Sequence, residues 1–179
     1  MERYLVERAR AGDRDSFEAL VRLKVDAVYR SAYAILGNSA DAQDATQETF
    51  VAAWRSFRSL RDPDRFEAWL GRVLTNACRM TLRRRRSRVR EVHPEFLEGD
   101  GFRAGPSAPA PDDPVAEADA FDRAFERLAV DQRALLVAHH LDGRSIDDLA
   151  GELGVPTGTV KSRLHTARVA LQAALETER

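Results

Sequence analysis

The segment from Ser145 to Leu164, SIDDLAGELGVPTGTVKSRL, constrains the fold of this chain more than any other. Ile146, Leu149, Ala150 and Leu153 recur at helical spacing, so a first short helix has one apolar face. Gly154 falls where a left-handed turn residue is needed, and Pro156 suits the first position of a second helix. Val160, Leu164 and Leu171 can then turn inward. Thr157, Thr159, Lys161, Ser162, Arg163, His165 and Thr166 cannot all be buried with them. A helix with a buried edge and an exposed polar stripe is what reading a DNA major groove requires. Small helical domains also use helix–turn–helix pairs for packing alone, so the segment does not decide function by itself.

Upstream, the same periodicity continues. Phe17, Leu20, Val21, Val25, Val28, Tyr29 and Ala32 share one face of a helix over residues 16–36. Gly37-Asn38-Ser39 ends it, and Ser39 or Asp41 is placed to cap a helix running to Arg55 or just beyond. Asp62-Pro63 breaks the chain before a third long helix from Phe66 to about Arg86. Residues 91–114 lose all periodicity and are rich in Gly and Pro, the composition of a linker. Helical spacing resumes near Val115 with Phe121, Phe125 and Leu128, then Leu135, Leu136 and Leu141. No strand pattern is present. The reading is all-α: two small helical bundles, residues 1–90 and 115–179, on a flexible tether.

Charge is polarised along these segments. Residues 1–90 hold 19 Lys and Arg against 12 Asp and Glu, whereas residues 91–115 hold 1 against 6 and residues 116–179 hold 8 against 11. The basic first half suits a polyanionic partner. The C-terminal bundle is net acidic, so its DNA affinity must be supplied largely by tethering in a larger complex.

Three constellations carry the candidate chemistry. Asp41, Asp44 and Glu48 line one side of a helix with Gln47 beside them, next to Phe50 and Trp54, which are expected to be buried. Such a ridge is either a solvated acidic face or a dock for a basic partner helix. Phe66, Trp69 and the run Arg83-Arg84-Arg85-Arg86 form the second. Duplex opening needs aromatic stacking, cationic grip on the backbone and an amide to read a base edge. Trp69 reads better as core. Four consecutive arginines repel one another unless a polyanion is near. The third is the stripe after Gly154.

In these runs the chain resembles the extracytoplasmic-function sigma factors, the smallest group of bacterial RNA polymerase sigma subunits. Asp44, Gln47 and Glu48 match the Asp-x-x-Gln-Glu core of their polymerase-binding helix, Phe66 to Asn76 their promoter-melting segment, and Thr159 to Leu164 the heart of their second DNA-binding region. The resemblance implies a sigma factor that binds core polymerase, recognises a promoter and opens it. It assigns Asp41, Asp44, Gln47 and Glu48 to the clamp helices of the largest subunit. Arg58, Arg61, Arg65, Asn76 and Arg83 to Arg86 fall to the −10 element, and the stripe from Thr157 to Thr166 to the −35 element. The C-terminal bundle then meets the flap of the second-largest subunit, and the acidic linker passes through the active-centre cleft. An anti-sigma factor is a partner that such proteins often have. Ala129, Arg144 and Thr166 depart from the family pattern, Thr166 standing where many relatives carry a phosphate-directed arginine.

No enzymatic motif, cofactor or metal site is expected. His139 and His140 are adjacent and diverge on a helix, and His93 falls in the linker. Cys78 reads as a small buried hydrophobe. No run approaches the ~20 apolar residues that span a bilayer, and the charged N-terminus lacks a secretory h-region, so cytoplasmic residence is the expectation. An ordinary helix–turn–helix regulator would share the Lys161–Arg163 stripe without needing the acidic ridge. A helical adaptor of polymerase would share the ridge without the stripe.

Overall fold

In the computed structural model the described residues are 1–92 and 114–178. His93 and nearly all of the expected linker lie outside them. Eight α-helices account for the described residues: α1 Glu2–Arg10, α2 Arg14–Leu36, α3 Ser39–Ser56, α4 Phe66–Val92, α5 Pro114–Glu126, α6 Val130–His140, α7 Ile146–Leu153 and α8 Thr157–Glu178. Two single 3-10 turns, Phe57–Ser59 and Pro63–Arg65, bridge α3 to α4. Among the described residues there is no strand.

Local chemistry sets the boundaries. Gly37 takes a left-handed φ of 68° and donates its N–H to the Tyr33 carbonyl, closing α2. The cap of α3 is Asn38 rather than Ser39 or Asp41: its side chain accepts the Asp41 N–H at 3.0 Å. Asparagine in extended backbone fills that role with one short side chain. Helix α4 continues past Arg86 to Val92, and α5 starts one residue ahead of Val115 on Pro114, a residue suited to a first helical turn. Pro156 sits one residue ahead of α8, its carbonyl accepting from Thr159 and Val160. Helix α1, for which the sequence offered only a charged leading segment, buries Val6 and Ala9.

Two hydrophobic cores result. The first gathers Leu20, Ile35 and Leu36 of α2, Ala45 and Ala53 of α3, Phe57 and Leu60 of the connector, and Phe66, Trp69, Leu74 and Cys78 of α4. Its aromatic knot has Phe57 5.3 Å from Trp69 and 5.8 Å from Phe66, ring centroid to centroid. The second joins Leu128 with Leu135 and Leu136 of α6, Leu149 of α7, and Val160, Leu164 and Ala167 of α8.

Helix α6 belongs to both. Ala134 and Val137 enter the first core while Leu135 and Leu136 enter the second. With Arg133, five consecutive buried residues make a helix covered on all sides. The C-terminal bundle is therefore packed on the N-terminal one, an arrangement that beads on a tether did not anticipate.

Candidate protein and nucleic-acid interfaces

The acidic ridge forms on α3 as expected. Thr46 and Thr49 anchor its inner side, each hydroxyl donating to the carbonyl four residues back at 2.7 and 2.6 Å. Asp44 and Gln47 are exposed, and neither has an ion pair or side-chain hydrogen bond among the described residues. Asp41 and Glu48 are half-buried and meet the arginine run of α4: Arg85 lies 3.5 Å from Asp41 and Arg84 4.0 Å from Glu48. Two sites that the sequence separated are thus neighbours. Phe50 is half-buried, but Trp54 is 40% exposed, and so is Val51 at 38%. Trp54 rests against Phe17 with the rings tilted by 49° and centroids 4.9 Å apart, rather than entering the core. Asp44, Gln47, Val51 and Trp54 make one exposed stripe, acidic at one end and apolar at the other.

The connector before α4 is held from several sides. Phe57 and Leu60 are buried, and the Asp62 carboxylate accepts the Asp64 N–H at 3.0 Å. From α1, Arg10 donates to the Arg61 carbonyl at 2.9 Å and Arg3 pairs with Asp64 at 3.1 Å. A fixed backbone leaves Arg58 and Arg61 exposed with no partner among the described residues. Arg65 stands 3.9 Å from Asp62 and points its Nη1 toward the Gly151 carbonyl at 3.5 Å.

Phe66 and Trp69 are core, 3% and 7% exposed, so neither is free to stack on an unpaired base. Asn76 is exposed, as base capture demands. Its Oδ1 accepts from Arg79 at 2.6 Å, and Arg79 also donates to Asp131 of α6 at 2.6 Å. Arg83 is exposed without a partner among the described residues, and the side chain of Arg86 lies outside them. Arg72 donates to the Glu152 carbonyl of α7 at 2.8 Å. Sequence reading passed over Arg72 and Arg79. Their spacing of four before and three after Asn76 was the available signal.

In the C-terminal bundle, Ser145 and Asp148 cap α7 reciprocally. The Ser145 Oγ accepts the Asp148 N–H at 3.0 Å and donates to Asp148 Oδ2 at 2.6 Å. That hydroxyl, with the Ser145 N–H, holds the Asp148 carboxyl below its ordinary range. Gly154 makes the turn at φ 65°. On α8, Val160, Leu164 and Ala167 are buried, whereas Thr157, Lys161, Ser162, Arg163, His165 and Thr166 are exposed and Thr159 half-exposed. Lys161, Arg163 and His165 have no partner among the described residues. The Thr166 hydroxyl is committed to the Ser162 carbonyl at 3.0 Å. Arg144 ion-pairs with Glu152 and lies 3.9 Å from Glu67 of α4. Ala129 caps α6 only by its backbone, with Gln132 reaching back to its N–H at 3.1 Å.

Cys78 is fully buried, and desolvation pushes its thiol up to about 12. The rings of His139 and His140 stand edge-on, 4.8 Å apart. Among the described residues no group of three His, Cys, Asp or Glu side chains converges as metal ligands would. No helix among them is long and apolar enough to cross a membrane.

Comparison with known proteins supplies the remaining findings. The family model for Sigma-70 region 2 matches residues 20–88 and that for Sigma-70, region 4, residues 118–171. The ECF RNA polymerase sigma factor SigM of Mycobacterium tuberculosis is 38% identical over 169 residues, covering 90% of this chain and 78% of SigM. SigE of Mycolicibacterium smegmatis is 38% identical over 161 residues, covering 88% of this chain, which spans 60% of the length of SigE. The structure of CnrH in complex with the cytosolic domain of CnrY aligns with a TM-score of 0.66 at 27% identity, over 99% of each chain. The sigma factor RpoE from Bartonella quintana, solved with the anti-sigma factor NepR, aligns with a TM-score of 0.63 at 26% identity, over 91% of this chain and 98% of RpoE.

Proposed function

Because the chain belongs to the extracytoplasmic-function sigma factors of the sigma-70 family, we propose that it binds core RNA polymerase and directs promoter recognition and opening. It is a transcription initiation factor, not an enzyme; the chemistry stays with the polymerase. The observation that carries this reading is the coexistence, in one chain, of an exposed Asp44–Gln47 ridge on α3 and an exposed Lys161–Arg163–His165 stripe on α8, both without side-chain partners among the described residues. An adaptor needs only the first and an ordinary regulator only the second.

Each surface then has a task. Residues 1–90 dock on the clamp helices of the largest subunit through Asp41, Asp44, Gln47 and Glu48. They grip the −10 element with Arg58, Arg61, Arg65 and Arg83 to Arg86, while Asn76 reads the edge of an extruded base. An amide suits that edge because it both donates and accepts. Stacking must come from elsewhere than Phe66 and Trp69, which are core. Residues 115–179 meet the flap of the second-largest subunit and read the −35 element through Thr157, Thr159, Lys161, Ser162, Arg163, His165 and Thr166. Residues 91–114 link the two. Work on polymerase places the chain in the cytoplasm. CnrH and RpoE were solved with CnrY and NepR, and an anti-sigma protein is inferred as a partner here too.

The test is transcription on fragmented genomic DNA from the source organism, with purified core polymerase and the purified chain. New discrete transcript 5′ ends that appear only when both are present are expected. Unchanged ends, with no co-elution of chain and core, overturn the proposal.

A further inference from the structure

An opened duplex leaves unpaired bases that need a ring to stack on, and burial removes Phe66 and Trp69 from that task. Four other Phe, Tyr or Trp side chains are well exposed among the described residues: Tyr4, Tyr33, Trp54 and Phe121. Three of them already have a second ring against them. Tyr33 stacks with Tyr29 at 6.3 Å between centroids, Phe121 with Phe125 at 5.7 Å, and Trp54 rests on Phe17. Tyr4 is 56% exposed and has no aromatic neighbour among the described residues.

Tyr4 belongs to α1, which is fastened to the connector ahead of α4 at two points. Arg3 pairs with Asp64 at 3.1 Å, and Arg10 donates to the Arg61 carbonyl at 2.9 Å. Arg3 and Arg10 are two helical turns apart and share the edge of α1 that faces the connector. Tyr4 and Arg8, four residues apart, stand beside that edge on the solvent side, opposite the buried Val6 and Ala9. The Arg8 guanidinium lies 5.7 Å from the Tyr4 ring centroid, and its Nη1 donates to the Tyr4 hydroxyl at 3.1 Å. Its Nε pairs with Asp13 at 2.7 Å, which leaves Nη2 without a partner among the described residues. A guanidinium held at the rim of an exposed ring suits a nucleotide, the ring taking the base and the cation the phosphate.

Resting on the proposed grip of the connector arginines on the −10 strand, we propose that Tyr4 and Arg8 form a further subsite for single-stranded DNA. Tyr4 stacks on an unpaired base and Arg8 contacts the neighbouring phosphate. Arg3 and Arg10 fix this subsite relative to Arg58 and Arg61, so α1 extends the track of the strand beyond the connector. Every base has a face to stack, so the subsite adds affinity and no sequence preference.

The experiment titrates the full chain against a fluorescein-labelled 15-nucleotide strand of thymidines and follows anisotropy. Tyr4→Phe keeps the ring and loses the hydroxyl bonded to Arg8, whereas Tyr4→Ala loses both. Tyr4→Phe should bind as the parent does, and Tyr4→Ala about five- to tenfold more weakly. Arg8→Ala should flatten the salt dependence by about one counterion. A strand carrying 5-iododeoxyuridine at its centre should cross-link to Tyr4 on irradiation, because the reaction requires a ring stacked on the halogenated base. Mass spectrometry of the cross-linked peptide identifies the residue.

Affinity of Tyr4→Ala equal to the parent's overturns the subsite, and so do cross-links confined to other residues. An equal loss in Tyr4→Phe and Tyr4→Ala overturns stacking, since the hydroxyl bond to Arg8 would then be what matters. The chain with Arg58→Ala and Arg61→Ala separates this inference from the grip it rests on. Weaker binding by that chain, with Tyr4→Ala unchanged, sinks only the subsite. Parental binding by it, with Tyr4→Ala weakened, sinks the grip and leaves the stacking in place.

Discussion

Arg133 of α6 donates from Nη1 to the carbonyl of Ile35, at the end of α2, over 2.7 Å. Its other nitrogens reach the Leu128 and Glu126 carbonyls at 3.0 and 3.1 Å, and only 6% of the residue is exposed. One planar cation thus satisfies acceptors in both bundles. A buried charge survives only with such partners, and the flat five-donor fork is what spans three carbonyls. Arg133→Lys keeps the charge but not the fork. It should lower unfolding free energy by about 2 kcal/mol, the cost of stranding one or two buried carbonyls. Urea denaturation followed by circular dichroism measures this, and an unchanged midpoint would falsify the bridge.

Among the described residues Asp44 has no ion pair or side-chain hydrogen bond and Glu48 only a distant pairing with Arg84, so these two carboxylates are not holding the fold together. Asp44→Lys with Glu48→Lys should abolish co-elution with core polymerase. The Glu48–Arg84 pair is exposed, and its loss costs at most about 1 kcal/mol. Helicity and melting temperature should therefore stay close to those of the parent. Retained polymerase affinity in the double variant contradicts the docking assignment.

Asn76→Ala should bind core polymerase normally yet form open complexes poorly on duplex promoters. A template opened beforehand across the −10 element should relieve part of the defect. Permanganate footprinting reads both. The exposed Asn76 donates nothing to the core, so a variant that unfolds would show that its bond with Arg79 is structural instead.

Much of this architecture was legible from residue spacing. Gly37 and Gly154 carry the positive φ that their positions between apolar runs demand, and α2 and α8 bury the faces their periodicity marks; on α7 Leu149 and Ala150 are buried, but Leu153 at the last turn is 41% exposed. Cys78 is the inert buried thiol expected. Packing between the bundles was not legible, because beyond Ala134 and Val137 of α6 it rests on arginine bonds to carbonyls and to Asp131 that leave no periodic trace. The one apolar hint was the run Ala134-Leu135-Leu136-Val137, too dense for a helix with a wet side. Trp54 misled for a related reason. Its helical position matched Phe50, but it rests tilted against Phe17 at the rim of the core and stays 40% exposed. The ridge and the residues proposed for the −10 element were picked out by motif, while their mutual contact, Arg84 and Arg85 against Glu48 and Asp41, depends on how α3 and α4 cross.

Acid should loosen the helix–turn–helix through Asp148. Hydrogen bonds from the Ser145 hydroxyl and N–H hold its folded pKa below the ordinary 3.8, so the carboxylate stabilises the folded chain. That contribution is complete above the unfolded value and is lost as pH falls through the folded one. Asp148→Asn should melt earlier than the parent at pH 7, and the gap should close progressively below pH ~4. Thermal melts across that range provide the check. A gap that is constant with pH would mean that the cap depends on shape and not on charge.

Promoter reading by α8 should depend on few residues. Lys161 and Arg163 are its cations without a partner among the described residues, and the Thr166 hydroxyl is tied to Ser162 rather than offered outward. Arg163→Ala should reduce transcription chiefly from promoters with a strong −35 element, by the ~1–3 kcal/mol of one specific base contact or less if it meets phosphate. Thr166→Arg adds a cation at an exposed position of the same stripe. It should strengthen binding of the polymerase complex to such promoters and steepen its salt dependence by about one counterion. Affinity measured from 50 to 200 mM salt distinguishes the outcomes. A slope identical to the parent's would mean that Thr166 does not face the DNA backbone, and that α8 sits in the groove rotated away from the exposed stripe described above.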